Sequence, residues 1–189
     1  MSFLAGATEL PTLDTGQFEL RMIRPEDAED LFAIFGDPEV MRYWSTPALE
    51  NLEAARVLAR EIRQYFDDRS LFQWGLVRPE DDRVIGTCTL STLDVQNRRA
   101  ELGYALAQSE WGKGVMTEVL PVLVRFGFET LGLHRIEADV DPRNPASFRL
   151  LEQLGFKKEG YRRESYILNG EIQDAVLYGL LKREFEPQE

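Results

Sequence analysis

Apolar positions along the chain switch between a spacing of two and a spacing of three to four, and each switch marks a change from strand to helix. Phe18, Leu20 and Met22 alternate with Glu19 and Arg21 and predict a strand over residues 18–23. Arg24-Pro25-Glu26-Asp27 then puts a proline and acids at a helix start. Leu31, Ile34 and Phe35 give that helix its apolar face, and Asp37-Pro38 ends it. A second helix is predicted over residues 49–66, with Leu52, Ala55, Leu58, Ala59, Ile62 and Phe66 at helical spacing. Strands at 71–77 and 83–90 flank the acidic turn 79–82, and the polar turn 96–99 leads into a strand at 100–106. The long helix predicted over 112–131 is closed by Gly132 and carries Pro121, which predicts a kink or bulge. A strand at 134–140 follows, then a helix at 145–154 capped by Gly155. Strands at 156–166 and 171–181 meet at Leu168-Asn169-Gly170, an Asn-Gly turn signal. Residues 1–16 read as an extended lead-in and 183–189 as a loose tail. No repeat or linker divides the 189 residues, so one mixed α/β domain spanning 1–189 accounts for all of them.

Composition narrows the function. The 43% hydrophobic and 29% charged content is that of a globular chain. The 22 basic residues against 33 acidic ones leave a net charge of -11, which argues against a nucleic-acid partner. The same charge favours a cationic substrate such as an amine or a basic protein tail, or serves solubility alone. A lone cysteine, Cys88, makes no intrachain disulfide and reads as a buried filler of its strand. With a single histidine, His134, at a strand mouth, no ordinary metal site is expected. Residues 1–10 lack a basic leader and a sustained apolar run, and Glu118 and Arg125 interrupt the most apolar helix. The expectation is a cytoplasmic protein with no membrane partner.

Two motifs carry the chemistry. Gly112-Lys113-Gly114 follows a strand and opens a helix, where exposed backbone N–H groups beside glycines make a ready anion site. The turn lacks the further glycine and the Ser or Thr of an ATP-binding P-loop, and the third glycine of the dinucleotide fingerprint. A purely structural turn is the other reading. Further along stands Asn144-Pro145-Ala146-Ser147, leading to Leu154-Gly155-Phe156.

These pieces appear in order with Arg24-Pro25 and its acids, Arg99-Ala100-Glu101-Leu102-Gly103-Tyr104, Leu133-His134-Arg135-Ile136, Glu159-Gly160, and Asn169-Gly170 with Asp174. The series, covering roughly residues 18–181, resembles the GNAT N-acetyltransferase superfamily. It is most similar to the branch of ribosomal-protein N-terminal alanine and serine acetyltransferases and spermidine acetyltransferases. The resemblance implies an α/β (α+β) fold with a central mixed, mostly antiparallel sheet, splayed strands and about four flanking helices. It implies acetyl-CoA as the acetyl donor, its pyrophosphate gripped by backbone N–H groups of Trp111, Gly112, Lys113, Gly114, Val115, Met116 and Thr117. The end of the strand 100–106 would pair with the pantetheine arm, Leu106 would turn backbone groups towards the thioester, and Asn144 would bond the pantetheine region. Tyr43 and Trp44 fall where the branch lines its acceptor site. Two positions depart from the superfamily: Ser109 replaces the usual Gln or Arg opening the phosphate motif, and Leu151 replaces a tyrosine that often protonates the thiolate.

Acetyl transfer to an amine needs a neutral amine. A lysine amine, with a pKa of about 10.4, needs a stronger push than an α-amino group at about 7.7–8.0. Glu101 is the first candidate base, acting through water, on the strand face it shares with Gly103 and Ala105; a salt bridge to Arg98 or Arg99 is its structural alternative. Glu164 is the second, expected on the same face as Tyr166, with a plain surface charge as the alternative. Ser147, in the first turn of its helix, is the candidate for receiving the thiolate, with helix capping as the alternative. Tyr166 and Tyr161 are further proton donors or packing residues, and Phe72 and Trp74 are read as core. Cys88 lies outside the motifs, so direct attack without an acyl-enzyme is expected. The acceptor is read as a protein N-terminus, with a polyamine or other small amine as the alternative, and the protein itself as a monomer or homodimer. A non-catalytic acyl-CoA-binding or sensing module and a purely structural partner are the rivals from other classes.

Overall fold

The segments with alternating apolar positions pair into one eight-stranded sheet in a computed structural model that describes residues 3–185. In chain order the strands are β1 (Leu13–Asp14), β2 (Glu19–Met22), β3 (Phe72–Arg78), β4 (Arg83–Asp94), β5 (Arg99–Leu106), β6 (Arg135–Val140), β7 (Lys157–Leu168) and β8 (Glu171–Leu181). The helices are α1 (Ala28–Phe35), α2 (Leu52–Asp67), α3 (Val115–Glu129) and α4 (Pro145–Gln153). In space the strands run β1-β2-β3-β4-β5-β6-β8-β7, and β5 with β6 is the one parallel pair in that order. The fold is therefore the expected mixed, mostly antiparallel sheet with four helices.

Each face of the sheet buries its own core. Leu90, Leu102 and Ile136 meet Leu120 and Leu123 of α3 and Leu151 of α4 on one side. Val77, Val84 and Ala105 meet Leu31 and Ile34 of α1 and Ile62 of α2 on the other. Each of the buried leucine, isoleucine and valine side chains contributes about 1.5–3 kcal/mol. Trp74 and Cys88 are paired across β3 and β4 and fully buried, and burial pushes the Cys88 thiol up. Phe72 and Trp74 are core, as read from the sequence.

The sheet parts at its centre. β5 and β6 pair at Arg99–Arg135, Ala100–Ile136 and Glu101–Glu137, and the rest of β5 has no partner on that side. Alternation along β5 sends Ala100, Leu102 and Tyr104 to the α3/α4 side and Ala105 to the α1/α2 side.

Several boundaries move for local reasons. Pro25–Asp27 is a 3-10 turn, so α1 starts at Ala28; the Asp27 carboxylate accepts from the Arg24 amide at 2.7 Å and from buried Arg21 at 2.8 Å. Asn51 accepts from the Ala54 amide at 3.0 Å and so delays α2 to Leu52. Gly112 and Gly114 have φ of 75° and 79°, outside the helical range, and α3 begins only at Val115. That helix continues through buried Pro121, and the bulge expected there does not form. The lead-in is packed rather than loosely extended: Leu10 is buried, β1 pairs with β2, and the Trp74 indole donates to the Pro11 carbonyl at 3.0 Å. The tail is not loose up to residue 185: Lys182–Glu184 forms a 3-10 turn and the Phe185 ring lies 5.6 Å from that of Phe128. Residues 1–2 and 186–189 of those two segments lie outside the described residues. Among the described residues no helix is long and apolar enough to cross a membrane.

Candidate active site

Where β5 and β6 part, a cleft of about 200 Å³ opens between them. Glu101 and Tyr104 of β5, Asp139 of β6, Ser147 of α4 and Tyr166 of β7 line it, with Tyr43 and Trp44 from the 3-10 turn Met41–Tyr43 and its end. Asn144, Asp141, Gln173 and Asp174 complete the polar part of the wall.

Glu101 is half-buried and its carboxylate meets the Thr92 hydroxyl at 3.4 Å. Among the described residues neither Arg98 nor Arg99 forms a salt bridge with it, and Arg99 turns instead to Asp94 at 3.3 Å and Glu137 at 3.7 Å. Burial, and then the charge of Asp139 and Glu137, pushes the Glu101 carboxyl above the ordinary carboxylate range. A carboxylate in this setting takes up a proton more readily than a solvated one, which suits a general base.

Ser147 stands at the third position of α4. Asn144 caps that helix, its side-chain oxygen accepting from the Ser147 amide at 3.1 Å, so capping belongs to Asn144 and leaves the Ser147 hydroxyl available. That hydroxyl is hydrogen-bonded to the phenol of Tyr104. Leu151, the position that lacks the usual tyrosine, lines the cleft floor and is fully buried.

Tyr166 donates to Asp139 at 3.0 Å, and its phenol is pushed up to about 12 by burial and by the neighbouring carboxylate. Glu164 is not brought to the cleft. Its backbone is left-handed with φ 52°, its amide donates to Asp174 at 2.7 Å, and its side chain is exposed. A register shift between Arg162 and Tyr166 breaks the alternation that was expected to put it on the face of Tyr166. Tyr161 is exposed, with its hydroxyl on Asp174 at 2.5 Å. Trp44 meets Phe35 edge-on with centroids 5.7 Å apart, and Arg143, paired with Asp141 at 2.7 Å, lies 6.0 Å from the Tyr43 ring.

The glycine turn lies outside the cleft lining, beyond the end of β5, and is tied to it by the Trp111 indole donating to the Leu106 carbonyl at 2.8 Å. A Cβ added at Gly112 or Gly114 would meet nothing within 4 Å, so both backbones face open space. The amides of residues 112–116 meet no acceptor among the described residues, whereas those of Trp111 and Thr117, also expected to face the pyrophosphate, donate to the Gln108 and Gly114 carbonyls at 3.1 and 3.0 Å because each closes a turn there. Lys113 is held by buried Glu110 at 3.1 Å, which leaves the backbone to receive an anion. Donor set and open approach both fit a pyrophosphate. Tyr104 was not singled out from the sequence, although its place one step out of phase with Glu101 and Gly103 puts it on the opposite face of β5.

Residues 17–157 match the family model described as an acetyltransferase (GNAT) domain. The chain is 37% identical over 176 residues to the uncharacterized N-acetyltransferase p20 of Bacillus licheniformis, covering 93% of this chain and 99% of that protein. It is 35% identical over 127 residues to the [ribosomal protein uS5]-alanine N-acetyltransferase of Escherichia coli, covering 67% of this chain and 66% of that one. A spermidine N-acetyltransferase from Vibrio cholerae, solved in complex with CoA and spermine, shares the fold with a TM-score of 0.79 at 24% identity, over 89% of this chain and 97% of its own. A parted sheet with a glycine turn beyond it, matched over most of the chain's length, makes this protein a member of the GNAT acetyltransferase family.

Proposed function

We propose that the chain transfers an acetyl group from acetyl-CoA to a protein N-terminal α-amino group, by direct attack with both substrates bound. Acetyl-CoA supplies the activated thioester carbonyl when bound. The free amides of residues 112–116 hold its pyrophosphate, and the unpaired side of β5 up to Leu106 hydrogen-bonds its pantetheine arm. Asn144 fixes the start of α4 beside that arm, and Tyr43 and Trp44 line the way in for the acceptor. Glu101 takes the proton from the amine, directly or through a water.

The observation that carries this reading is Glu101: a half-buried carboxylate with raised proton affinity and, among the described residues, no cation paired to it, on the wall of the parted sheet. An α-amino group, at about 7.7–8.0, lies within its reach in a way that a lysine, at about 10.4, does not. A second acceptor class, small polyamines, is favoured by Asp174 on the cleft wall, which among the described residues has no ion pair of its own, while Asp139 and Asp141 are already paired with Arg162 and Arg143.

Titration calorimetry with acetyl-CoA on wild type and Gly112→Glu tests the cofactor site. Initial rates on N-terminal peptides and on polyamines then separate the acceptors. Binding by wild type with faster turnover of peptides supports the reading; no binding sinks it, and preference for polyamines moves the acceptor to the second class.

A further inference from the structure

Tyr104 and Ser147 come from the two elements that flank the opening in the sheet, Tyr104 from the α3/α4 side of β5 and Ser147 from the first turn of α4. Their hydroxyls are in hydrogen-bond contact, and among the described residues neither has another polar partner. Two hydroxyls in contact share one hydrogen, so the question is which one gives it. A phenol is the better donor and an alkanol oxygen the better acceptor. The Tyr104 phenol is moreover pushed up to about 12, chiefly by burial, and keeps its proton across the neutral range. Tyr104 therefore donates and the Ser147 oxygen accepts. The hydrogen of Ser147 is left to point away from Tyr104, into the cleft that both residues line.

We propose that Tyr104 is a positioning residue: by donating to Ser147 it commits the Ser147 hydroxyl to donate towards the sulfur that leaves the thioester. The proposal rests on the acetyl-CoA reading above. Transfer forms a C–N bond and breaks the C–S bond, with the electron pair passing to sulfur and the amine proton to Glu101. The Ser147 hydroxyl and the positive end of the α4 dipole then face the new negative charge. No proton leaves Tyr104. Leu151, one turn beyond Ser147 and fully buried, offers no phenol of its own, so the task falls to a tyrosine on the opposite wall. Glu101 and Tyr104 leave opposite faces of β5, which sets base and sulfur-side donor on the two sides of the opening.

CoA with its free thiol tests this without any acceptor. Its affinity would be measured from about pH 6 to about pH 10, across the range in which a thiol of pKa about 8.5 ionises. The proteins are wild type, Tyr104→Phe, Ser147→Ala, Ser147→Thr and the Tyr104→Phe/Ser147→Ala double variant. Other titratable groups around the pair are Glu101 of β5, Cys88 opposite Tyr104 on β4, Asp139 of β6 and Asp141 just after it, Tyr166 of β7 and Asp174 of β8, all common to the whole series. The bound thiol is expected to ionise about one pH unit lower in wild type than in Tyr104→Phe. Ser147→Thr should keep the effect, and in the Ser147→Ala background Tyr104→Phe should change nothing further. In turnover, Tyr104→Phe should lower kcat about tenfold with KM for acetyl-CoA unchanged. An unmoved thiol profile in Tyr104→Phe, or an equal shift with and without Ser147, would overturn the proposal. Absence of CoA binding by wild type at every pH would instead overturn the acetyl-CoA reading, and this inference with it.

Discussion

Between Gly112 and Met116 the chain offers its backbone; between β5 and β6 it offers side chains. The turn needs only amides without partners and two glycines whose missing Cβ atoms leave the approach open. Its one charged side chain, Lys113, is occupied by Glu110. The cleft instead assembles Glu101, Tyr104, Asp139, Ser147 and Tyr166 from four separate elements, and each is hydrogen-bonded to a neighbouring side chain. A backbone site tolerates change in side chains and fails when a glycine is lost. A side-chain site does the reverse, and substitutions at the two should therefore separate binding from chemistry.

The largest separation is expected from Gly112→Glu. The new carboxylate stands in a left-handed position and repels the pyrophosphate, so affinity for acetyl-CoA should fall at least about a hundredfold by calorimetry, while the strained backbone lowers stability by only about 1–2 kcal/mol. Glu101→Gln should do the opposite, lowering kcat about a hundredfold with acetyl-CoA affinity intact. The same residue sets the pH dependence. Its carboxyl must be ionised to act, so kcat/KM should rise with pH through a value above the ordinary carboxylate range, and Glu101→Gln should lose that limb. Stability runs the other way. Because the folded-state value is raised, this group's contribution is complete below the ordinary value and is lost as pH rises through the folded one, which thermal melts across that window would register.

These differences also govern what could be read from the sequence. The glycine turn was legible because glycine spacing after a strand reports a backbone shape directly. Strands and helices were legible for the same reason, since hydrophobic period follows from local geometry. The place of Glu164 was not legible, because counting by twos along β7 assumes a continuous ladder and the register shifts between Arg162 and Tyr166. Nor was the link between Tyr104 and Ser147, which lie 43 residues apart and meet only because β5 and α4 flank the same opening. Glu101 lines the cleft, but its freedom from Arg99 could not be read from the sequence, since it depends on Asp94 and Glu137 standing closer to that arginine.

Smaller effects sharpen the contrast further. Asn144→Ala removes the cap on α4 and should cost about 1 kcal/mol of stability, measured by denaturant unfolding. Lys113→Ala should change acetyl-CoA affinity by less than about threefold, since its ammonium is already engaged by Glu110 and the amides do the holding. A larger loss would mean that the lysine lets go of Glu110 to meet the phosphates, and the turn would then be a side-chain site after all.

The three-residue pairing of β5 with β6 leaves the sheet with an edge in its own interior. Exposed edges invite other chains to add a strand and so to aggregate. This one is walled by helices on both faces and flanked by strands on both sides, so another chain can bring an end to it but cannot lay a strand along it. A slender molecule carrying its own amide groups can still enter and complete the ladder. Whatever fills the gap joins the sheet as a temporary strand, so occupancy should tighten the whole domain: a ligand present at a hundred times its Kd adds about 2.7 kcal/mol. The protein would be at its most resistant to proteolysis while it is loaded to work.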